Sequence, residues 1–594
     1  MRHLLLAFVA IVPIATIAQR FDDRHPPNTY RNADNPHYWK NRPPYEGYWQ
    51  QDVHYLIKAR MDDERDVVDG DLTLYYHNNS PDTLRYVFFH LYQEAYVAGS
   101  YNLDQEGEHW RGGSEDSPYA GTRINSLTSE GDSLRTEQDN TILKVWLKQA
   151  LPPGERVVLR IGFSTHWSMS VGRRMKLFNA WGSKHYDGVH WYPRIAVYDR
   201  KFGWDTQQHL GMEFYGDFGT FDVDLDFPHH YVVDATGVLQ NPQEVMPAEL
   251  RARLDIANFK NKPWNEKPTV ITPPEPGKRK VWKFHSENTH DFAFTADPTY
   301  RIGEAEWNGV QCIALAQEPH ASKWQNAADY CAKVIEAHST SFGMYAYPKM
   351  IVADARDGME YPMLTLDSGN DPNYRGLFVH EIGHNWFFGM VGNNETYRAM
   401  LDEGFTQFLT AWGLEQIDGD TMVVDTPKTK YERRYTLPEL ARESEVYSGY
   451  QRDAVRDKLP AINTHSDEFD HWTDKGSGGY GHVYTKTATM LYNLQYVLGD
   501  TLFLAAMRNY FDRWHMCHPY VEDFRQSMHD FTGVDLNWFF DQWIETDKRI
   551  DYAVKCVTGR HEDEGQTIHL RRKGSLQMPI DLQVTAKDGK LYDF

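Results

Sequence analysis

Three patterns in the sequence predict a multidomain protein with a β-rich N-terminal domain, a mainly α (α+β) second domain and a short C-terminal β segment. Residues 48–295 contain short runs of alternating apolar and polar residues, such as GTFDVDLDF, between Gly, Asn and Pro turns. Residues 296–550 are dominated by apolar residues at helical spacing, as in KTATMLYNLQYVLG. The alternating pattern returns in residues 551–594, which we expect to form a short or truncated β-module.

The N-terminal residues have the pattern of a secretory signal peptide. Arg2 and His3 precede the apolar run LLLAFVAIVPIATIA, and Ala18 offers a small residue for cleavage. We therefore expect residues 1–18 to be a signal peptide and the protein to be exported, to the periplasm, the cell surface or the medium. No second segment approaches the ~20 apolar residues of a spanning helix, so we expect no transmembrane span in the mature chain. Residues 19–47 are rich in Pro, Asn, Asp and Arg and predict an extended lead-in.

Composition narrows the classes of function. The 594 residues are 41% hydrophobic and 25% charged, which is typical of globular proteins and excludes collagen, a coiled coil or a multi-span membrane protein. The net charge of −22 disfavours binding to nucleic acid. Four cysteines allow three disulfide pairings, and the sequence neither chooses among these nor excludes free thiols. They are Cys312, Cys331, Cys517 and Cys556.

The segment HEIGH carries the clearest chemical signal. In a helix, residues four apart lie on one face, so His380 and His384 can bind one metal ion. Glu381 lies one step round the helix, where its carboxylate can hold a water molecule instead of the metal. The alternative is a core helix with two histidines, a pattern that chance gives in roughly one in ten chains this rich in histidine.

A third ligand is available downstream. Catalytic zinc sites use three protein ligands and leave a fourth position for water. Glu403 lies in the helical segment LDEGFTQFL, and an antiparallel second helix would bring its carboxylate to the histidine pair. Asp402 is the competing ligand, and it can instead cap the helix or accept a hydrogen bond from a ligand. The spacing predicts one bound Zn²⁺ ion.

Four motifs of the chain, and their order along it, resemble those of the gluzincin metallopeptidases of the alanyl aminopeptidase and leukotriene hydrolase family. HEIGHNWF and LDEGFTQF are similar to its zinc-binding segments, and DGMEYPML to its substrate-amine motif. HVYTKTATML is similar to its Tyr-x-Lys helix start. The resemblance extends over about residues 48–550 and implies a thermolysin-like fold for residues 296–550.

The resemblance also implies a role for each matched residue. Glu381 would be the general base that takes a proton from a zinc-activated water, and Tyr484 would stabilise the oxyanion. Tyr480, four residues earlier, is the rival tyrosine, and aromatic packing is the plain alternative for both. The implied zinc ligands are His380, His384 and Glu403.

The substrate-binding residues implied by the amine motif are Gly358, Met359 and Glu360. On an edge strand beside the zinc helix, Glu360 would pair with the α-ammonium of a substrate and limit cleavage to the first residue. The plain alternative is a solvated glutamate. Tyr361 stands where the family usually has Asn, and Asp357 where it has its first Gly, which alters the pocket for the first side chain. Glu213 and the polar groups of HWYPRIAVYD near Arg194 are candidates for the second polar group that often assists the amine site in this family.

We expect an exported zinc aminopeptidase that acts on peptides with a free N-terminus. A zinc endopeptidase or a dipeptide-releasing peptidase with an open cleft is the alternative, because only residues 551–594 follow the predicted catalytic domain. An alternative of another class is a catalytically silent peptide-binding protein on the same scaffold. Such a protein would lack a zinc ligand, the general base or the tyrosine. The sequence has all five residues for these roles, namely His380, Glu381, His384, Glu403 and Tyr484. The sequence does not predict the oligomeric state.

Overall fold

The computed structural model describes residues 21–27, 29–102, 121–167, 174–210, 213–424, 429–430, 434, 439–456, 459–469, 479–559 and 565–594. The predicted signal peptide at residues 1–18 lies outside these ranges. The structure confirms the predicted fold class, with a β-rich first half, a helical region that carries the site, and a short β segment at the end.

Alternating sequence produces the strands of the first half because one face of each strand packs on the core. In GTFDVDLDFP, Phe221, Val223 and Leu225 are buried while the aspartates between them are partly exposed. The strands of this half are β1 Asp52–Asp62, β2 Val67–His77, β3 Leu84–His90, β4 Thr122–Ser129, β5 Asp132–Ser133, β6 Thr136–Asp139, β7 Ile142–Leu151, β8 Arg156–His166, β9 Leu177–Ala180, β10 Ser183–Gly188, β11 Arg194–Ile195, β12 Tyr198–Asp199, β13 Gly203–Trp204, β14 Gly219–Pro228, β15 Val232–Ala235, β16 Val238–Leu239, β17 Arg279–Thr289 and β18 Phe294–Asp297.

Among the described residues, the largest sheet has the order β16-β17-β14-β1-β2-β8-β4-β5. Only the β1–β14 pair in it is parallel, and the other described pairs are antiparallel. Smaller sheets have the orders β15-β18-β10-β9, β11-β3-β7-β6 and β12-β13. Two helices lie between β16 and β17, namely α1 Pro242–Val245 and α2 Ala248–Leu254.

The second half begins with a sheet that carries the predicted amine motif. Its strands are β19 Tyr300–Trp307, β20 Val310–Gln317, β21 Lys349–Asp354, β22 Met359–Tyr361 and β23 Leu364–Asp367. Within the described chain their order is β19-β20-β21-β23-β22, so β22 lies at an edge. Met363, at φ 65°, occupies the tight turn that joins β22 to β23. The motif is therefore a short hairpin with its glutamate strand outermost.

The α-helices of the second half include those that supply the rest of the site, and the first two of them pack against this sheet. They are α3 Ala327–Phe342, α4 Arg375–His384, α5 Glu403–Asp418, α6 Ser448–Ala454, α7 Gly481–Leu498, α8 Asp500–Trp514, α9 Val521–Thr532 and α10 Asn537–Trp543. Helix α4 continues into a π-helical segment, Asn385–Met390. The C-terminal strands β24 Tyr552–Thr558, β25 Thr567–Arg572, β26 Gln583–Thr585 and β27 Leu591–Asp593 form two hairpins with mostly exposed residues.

The lead-in segment joins the two halves. Trp39 Nε1 and the Tyr38 hydroxyl donate to the buried Asp52 carboxylate at 2.8 and 2.9 Å, at the start of β1. Arg42 Nη1 donates to the carbonyl of His515 at 3.1 Å, just beyond the end of α8. The segment thus fastens the first strand to the helical region. No helix within the described ranges is both long enough and apolar enough to cross a membrane.

Candidate active site

Two helices bring three ligand atoms to one point. Nε2 of His380 lies 3.2 Å from Nε2 of His384, and each of these atoms lies 3.3 Å from Oε2 of Glu403. A tetrahedral zinc ion with bonds of about 2.0 Å spaces its ligand atoms about 3.3 Å apart. The residues present therefore fit a zinc ion, with two neutral imidazoles and one carboxylate as donors.

Small residues let these helices approach closely. A Cβ on Gly383 would lie 3.2 Å from Cγ2 of Thr406, so the backbone of α4 lies close to a side chain of α5 at this point. A Cβ on Gly404 would lie 2.3 Å from Cβ of Thr487, which brings α7 against the start of α5. Because Glu403 is the first residue of α5, this packing aims its carboxylate at α4.

Each histidine ligand is held by a second hydrogen bond from its other ring nitrogen. Nδ1 of His380 lies 3.0 Å from Oγ1 of Thr410, whose hydroxyl donates to the carbonyl of Thr406, so the histidine is the donor. Nδ1 of His384 donates to Oδ1 of Asp402. These contacts fix both rings with Nε2 toward the metal position. Asp402 makes no capping bond to α5, so its contact is that of a residue orienting a ligand.

The environment also sets the charge of the ligands. Burial alone would raise the pKa of Glu403, but His384 and His380 lower it below its ordinary value. Burial lowers the pKa of His380. These two groups are thereby kept in the deprotonated forms that bind metal. His384 differs, because burial would lower its pKa but the neighbouring carboxylates, Asp402 first, raise it above its ordinary value.

Glu381 faces the same space from α4. It is 4% exposed, and its Oε2 has no hydrogen-bond partner among the described residues. Burial, with the nearby Glu360 carboxylate, raises the pKa of Glu381 well above its ordinary value. A Cβ on Gly358 would lie 3.0 Å from Oε1 of Glu381, so this position of the amine motif requires a small residue.

The structure distinguishes the two candidate tyrosines. The Tyr484 hydroxyl donates to Oε1 of Glu403, and its ring stacks on His380 with centroids 5.8 Å apart. Tyr480 is its neighbour at 5.8 Å, and its buried hydroxyl has no hydrogen-bond partner within the described part of the chain. Tyr484 is thus the tyrosine in direct contact with the ligand set.

Glu360 lies on edge strand β22 and is 3% exposed. The plain alternative of a solvated glutamate is therefore wrong. Ligand atoms of Glu360, Glu381 and His384 all lie within 4.8 Å of one another, so the amine motif borders the metal position. Next to Glu360, Met359 Sδ accepts a hydrogen bond from Arg174 Nη1 at 2.8 Å.

Two neighbours of Glu360 were not predicted from the sequence. Glu395, in GNNETYR after the zinc helix, is fully buried, and one oxygen each from Glu213, Glu360 and Glu395 lie within 4.8 Å of one another. Arg174 pairs with Glu213 at 2.6 Å. Glu213 was a candidate from the resemblance, whereas no motif singled out Glu395 or Arg174.

A groove of about 390 Å³ borders the metal position. Its wall includes His380 and Tyr484, so it reaches the ligand set. Leu377, Met422 and Val423 give the groove an apolar side. The metal position is thus bordered by buried carboxylates and by a groove of mixed polar and apolar lining.

The chain matches a known family model and known proteins. Residues 362–543 match the peptidase family M1 domain, which begins just after Glu360. An aminopeptidase N of Lactococcus lactis subsp. lactis is 22% identical over 205 residues, which are 32% of this chain and 22% of that protein. A glutamyl aminopeptidase of Mus musculus is 21% identical over 277 residues, which are 43% of this chain and 27% of that protein. The chain therefore spans about a quarter of the length of these relatives.

Solved structures share the fold. The M1 zinc metallopeptidase from Deinococcus radiodurans superposes with a TM-score of 0.53 at 15% identity, over 83% of this chain and 93% of that chain. A mutant of that protein bound to a Tyr-Ser-Ala substrate also has a TM-score of 0.53 at 15% identity, over 83% and 94%. The family match, together with the three converging ligand atoms, supports the predicted single zinc ion.

Proposed function

Because the chain carries a peptidase family M1 domain over residues 362–543, we propose that it is a zinc-dependent aminopeptidase that removes single residues from peptides with a free N-terminus. The observation that carries the proposal is a buried carboxylate, Glu360, on an edge strand beside the three-residue ligand set. A peptide added to that edge as a further strand would end at Glu360, which would bind its α-ammonium.

His380, His384 and Glu403 would hold the zinc ion. When bound there, zinc would polarise the scissile carbonyl and lower the pKa of a water molecule at the site toward ~7. Side chains of the protein itself would bind the substrate and transfer the proton.

Glu381 is the proton carrier in this proposal. Its unpartnered Oε2 would accept a proton from the attacking water and then donate it to the nitrogen of the leaving group. The raised pKa supports this role, because a carboxylate with an ordinary pKa is a poor proton donor at neutral pH.

Tyr484 would stabilise the negative charge that develops on the carbonyl oxygen. Its hydroxyl donates to Glu403 here, and a small reorientation would allow it to donate to the substrate oxygen beside the ligand set. The groove along Leu377 and Met422 would accept the residues that follow the cleaved bond.

Export is part of the proposal and is supported by the basic and apolar pattern of residues 1–18. Peptides outside the cytoplasm would then be the substrates. Expression of the full-length gene, followed by N-terminal sequencing of the protein outside the cytoplasm, tests this. A mature chain starting at Gln19 is expected, and a chain that stays in the cytoplasm with its first residues intact would contradict it.

Mass-spectrometric product mapping tests the activity. Matched peptides with free and acetylated N-termini are incubated with the purified protein, with and without a zinc chelator. We expect stepwise loss of single residues from the free-amine peptide alone, and no products with chelator. Internal cuts in both peptides would indicate an endopeptidase instead. Release of dipeptides would indicate a dipeptide-releasing peptidase instead. Binding without cleavage would indicate a silent peptide-binding protein.

A further inference from the structure

Three buried glutamates meet beside the proposed cleavage site. Glu213, Glu360 and Glu395 are 5%, 3% and 0% exposed, and each has one oxygen within 4.8 Å of the other two. Like charges this close repel strongly where water is excluded. The group therefore needs compensating positive charge, from a cation or from bound protons.

Arg174 supplies only part of that charge. Its Nη2 lies 2.6 Å from Oε2 of Glu213, and its Nη1 donates to Met359 Sδ. Within the described ranges, no lysine or arginine lies within ion-pair distance of Glu360 or Glu395. Arg174 therefore neutralises Glu213 and leaves two carboxylates open.

The open oxygens belong to Glu360 and Glu395. Among the described residues, no N–H or hydroxyl group donates to Oε1 of Glu360 or to either carboxylate oxygen of Glu395, and all three atoms are buried. Glu395 also lies against Asp402, a second acid that can hydrogen-bond to it only through a shared proton. A buried carboxylate oxygen without a donor costs free energy, and beside a metal position a substrate is one group that can supply the donor.

The geometry admits a primary ammonium as the ligand. A primary ammonium has three N–H donors, and charge-assisted bonds of about 2.8 Å in tetrahedral directions put their acceptors about 4.6 Å apart. The three glutamate oxygens lie within 4.8 Å of one another, which suits one acceptor for each donor.

We propose that Glu395 contacts the α-ammonium of the substrate as a third carboxylate, and that Glu213, Glu360 and Glu395 together make the enzyme selective for primary amines. The inference rests on the proposed aminopeptidase function. A peptide that begins with an N-methylated residue offers two N–H donors and leaves one buried carboxylate without a partner. Sites built around a hydrogen bond discriminate strongly against ligands that lack it.

The test compares two peptides that differ only in alanine or N-methylalanine at the first position. We expect the wild-type protein to prefer the primary amine. Glu395→Gln should lower kcat/KM for the primary amine by about 10- to 100-fold, mainly by raising KM, since it loses a charged hydrogen bond. It should change kcat/KM for the methylated peptide much less, so the preference shrinks.

Glu415→Gln is the matched control. Glu415 lies on helix α5, as Glu403 does, but its carboxylate pairs with Arg442 at 2.7 Å, away from the three glutamates. We expect this variant to keep the wild-type preference. An unchanged preference in Glu395→Gln, or an equal loss for both peptides, would overturn the inference while leaving the aminopeptidase proposal intact.

Calorimetry separates the two proposals when turnover is absent. If the wild-type protein cleaves neither peptide, the proposed function fails, and titration of the same peptides decides the inference. Tighter binding of the primary amine that is lost in Glu395→Gln would support it. Equal binding of the two peptides by the wild-type protein would refute it.

Discussion

Glu318 and Glu395 are equally buried, at 0% exposure, but their surroundings differ completely. Oε1 of Glu318 accepts hydrogen bonds from the backbone and hydroxyl of Thr269 at 2.9 and 3.0 Å, and lies 2.9 Å from Nζ of Lys262. Its Oε2 accepts from Nε of Arg301 at 2.9 Å and also pairs with Nη2. Glu395 has no cationic partner among the described residues, and its side-chain neighbour is a second acid, Asp402, with which it can hydrogen-bond only through a shared proton.

This difference distinguishes the structural role of Glu318 from the ligand-binding role proposed for Glu395. Burial alone would raise the pKa of Glu318, but Arg301 lowers it, so the carboxylate is charged and paired. Burial raises the pKa of Glu395 well above its ordinary value, and the neighbouring Asp402 raises it further. Removing one partner of a buried ion pair such as that of Glu318 destabilises the fold, whereas a buried carboxyl group without a cationic partner is a candidate for binding a ligand.

The same contrast exists inside the site. His380 and His384 are each held by a hydrogen bond from the ring nitrogen opposite the metal position. Glu360 and Glu381, which lie beside them, each have a free carboxylate oxygen within the described structure. The metal ligands are thus oriented in advance, while the groups meant for substrate and water stay open.

The largest effect is expected on kcat when Glu381, the carboxylate proposed to carry a proton, is changed. Glu381→Gln should lower kcat by about 10³- to 10⁴-fold, because an amide cannot accept and return the proton. Zinc content should not change, since Glu381 is not among the three ligand residues. Steady-state kinetics with metal analysis checks both, and near-normal kcat would remove Glu381 as the base.

The second-largest effect is expected on the free energy of unfolding when the paired carboxylate of Glu318 is changed. Glu318→Gln should lower the free energy of unfolding by about 3–5 kcal/mol, because Arg301 and Lys262 lose their buried counter-charge. The kcat/KM of the folded protein should stay at the wild-type value. Urea denaturation and kinetics measure the two quantities. A loss of activity without a loss of stability would break the comparison.

A smaller effect is expected for the tyrosine beside the ligand set. Tyr484→Phe should lower kcat about 100-fold and leave KM nearly unchanged, because its hydroxyl acts on the transition state. Tyr480→Phe is the matched control, four residues earlier on the same side. If Tyr480→Phe produced the loss of kcat and Tyr484→Phe did not, the roles would be exchanged.

The smallest effect is a pH dependence of stability. The pKa of Glu318 is lowered from 4.5 in the folded state, so the folded protein binds the proton less readily than the unfolded chain does. The stability that this carboxylate contributes is therefore complete above about pH 4.5 and is lost as pH falls through the lowered value. The stability gap between the wild type and Glu318→Gln should narrow on acidification. A gap that widened would contradict the ion-pair assignment.

Local motifs predicted the metal position well, because its residues are fixed by helix periodicity. The four-residue spacing of His380 and His384 places both on one face, and Glu403 begins the helix that packs against them. The competing interpretations of Asp402 were resolved only by its contact with His384. The β-rich first half was likewise readable, since alternation follows from one buried face per strand.

The amine side was not predictable in full, because its residues converge from distant segments. Glu213 precedes strand β14, Glu360 lies on edge strand β22, and Glu395 follows the π-helical segment. No spacing rule links residues that meet only through tertiary packing. Arg174 and Glu395 belong to no motif, so sequence patterns gave no signal for them.

The most direct test is the number of zinc ions per chain, measured by mass spectrometry of the intact protein and by elemental analysis. The account predicts one ion in the wild type, one in Glu395→Gln and loss of the ion in Glu403→Gln. Two ions in the wild type, with one lost in Glu395→Gln, would make the open carboxylates a second metal site and contradict the account. Retention of zinc at full occupancy in Glu403→Gln would contradict it as well.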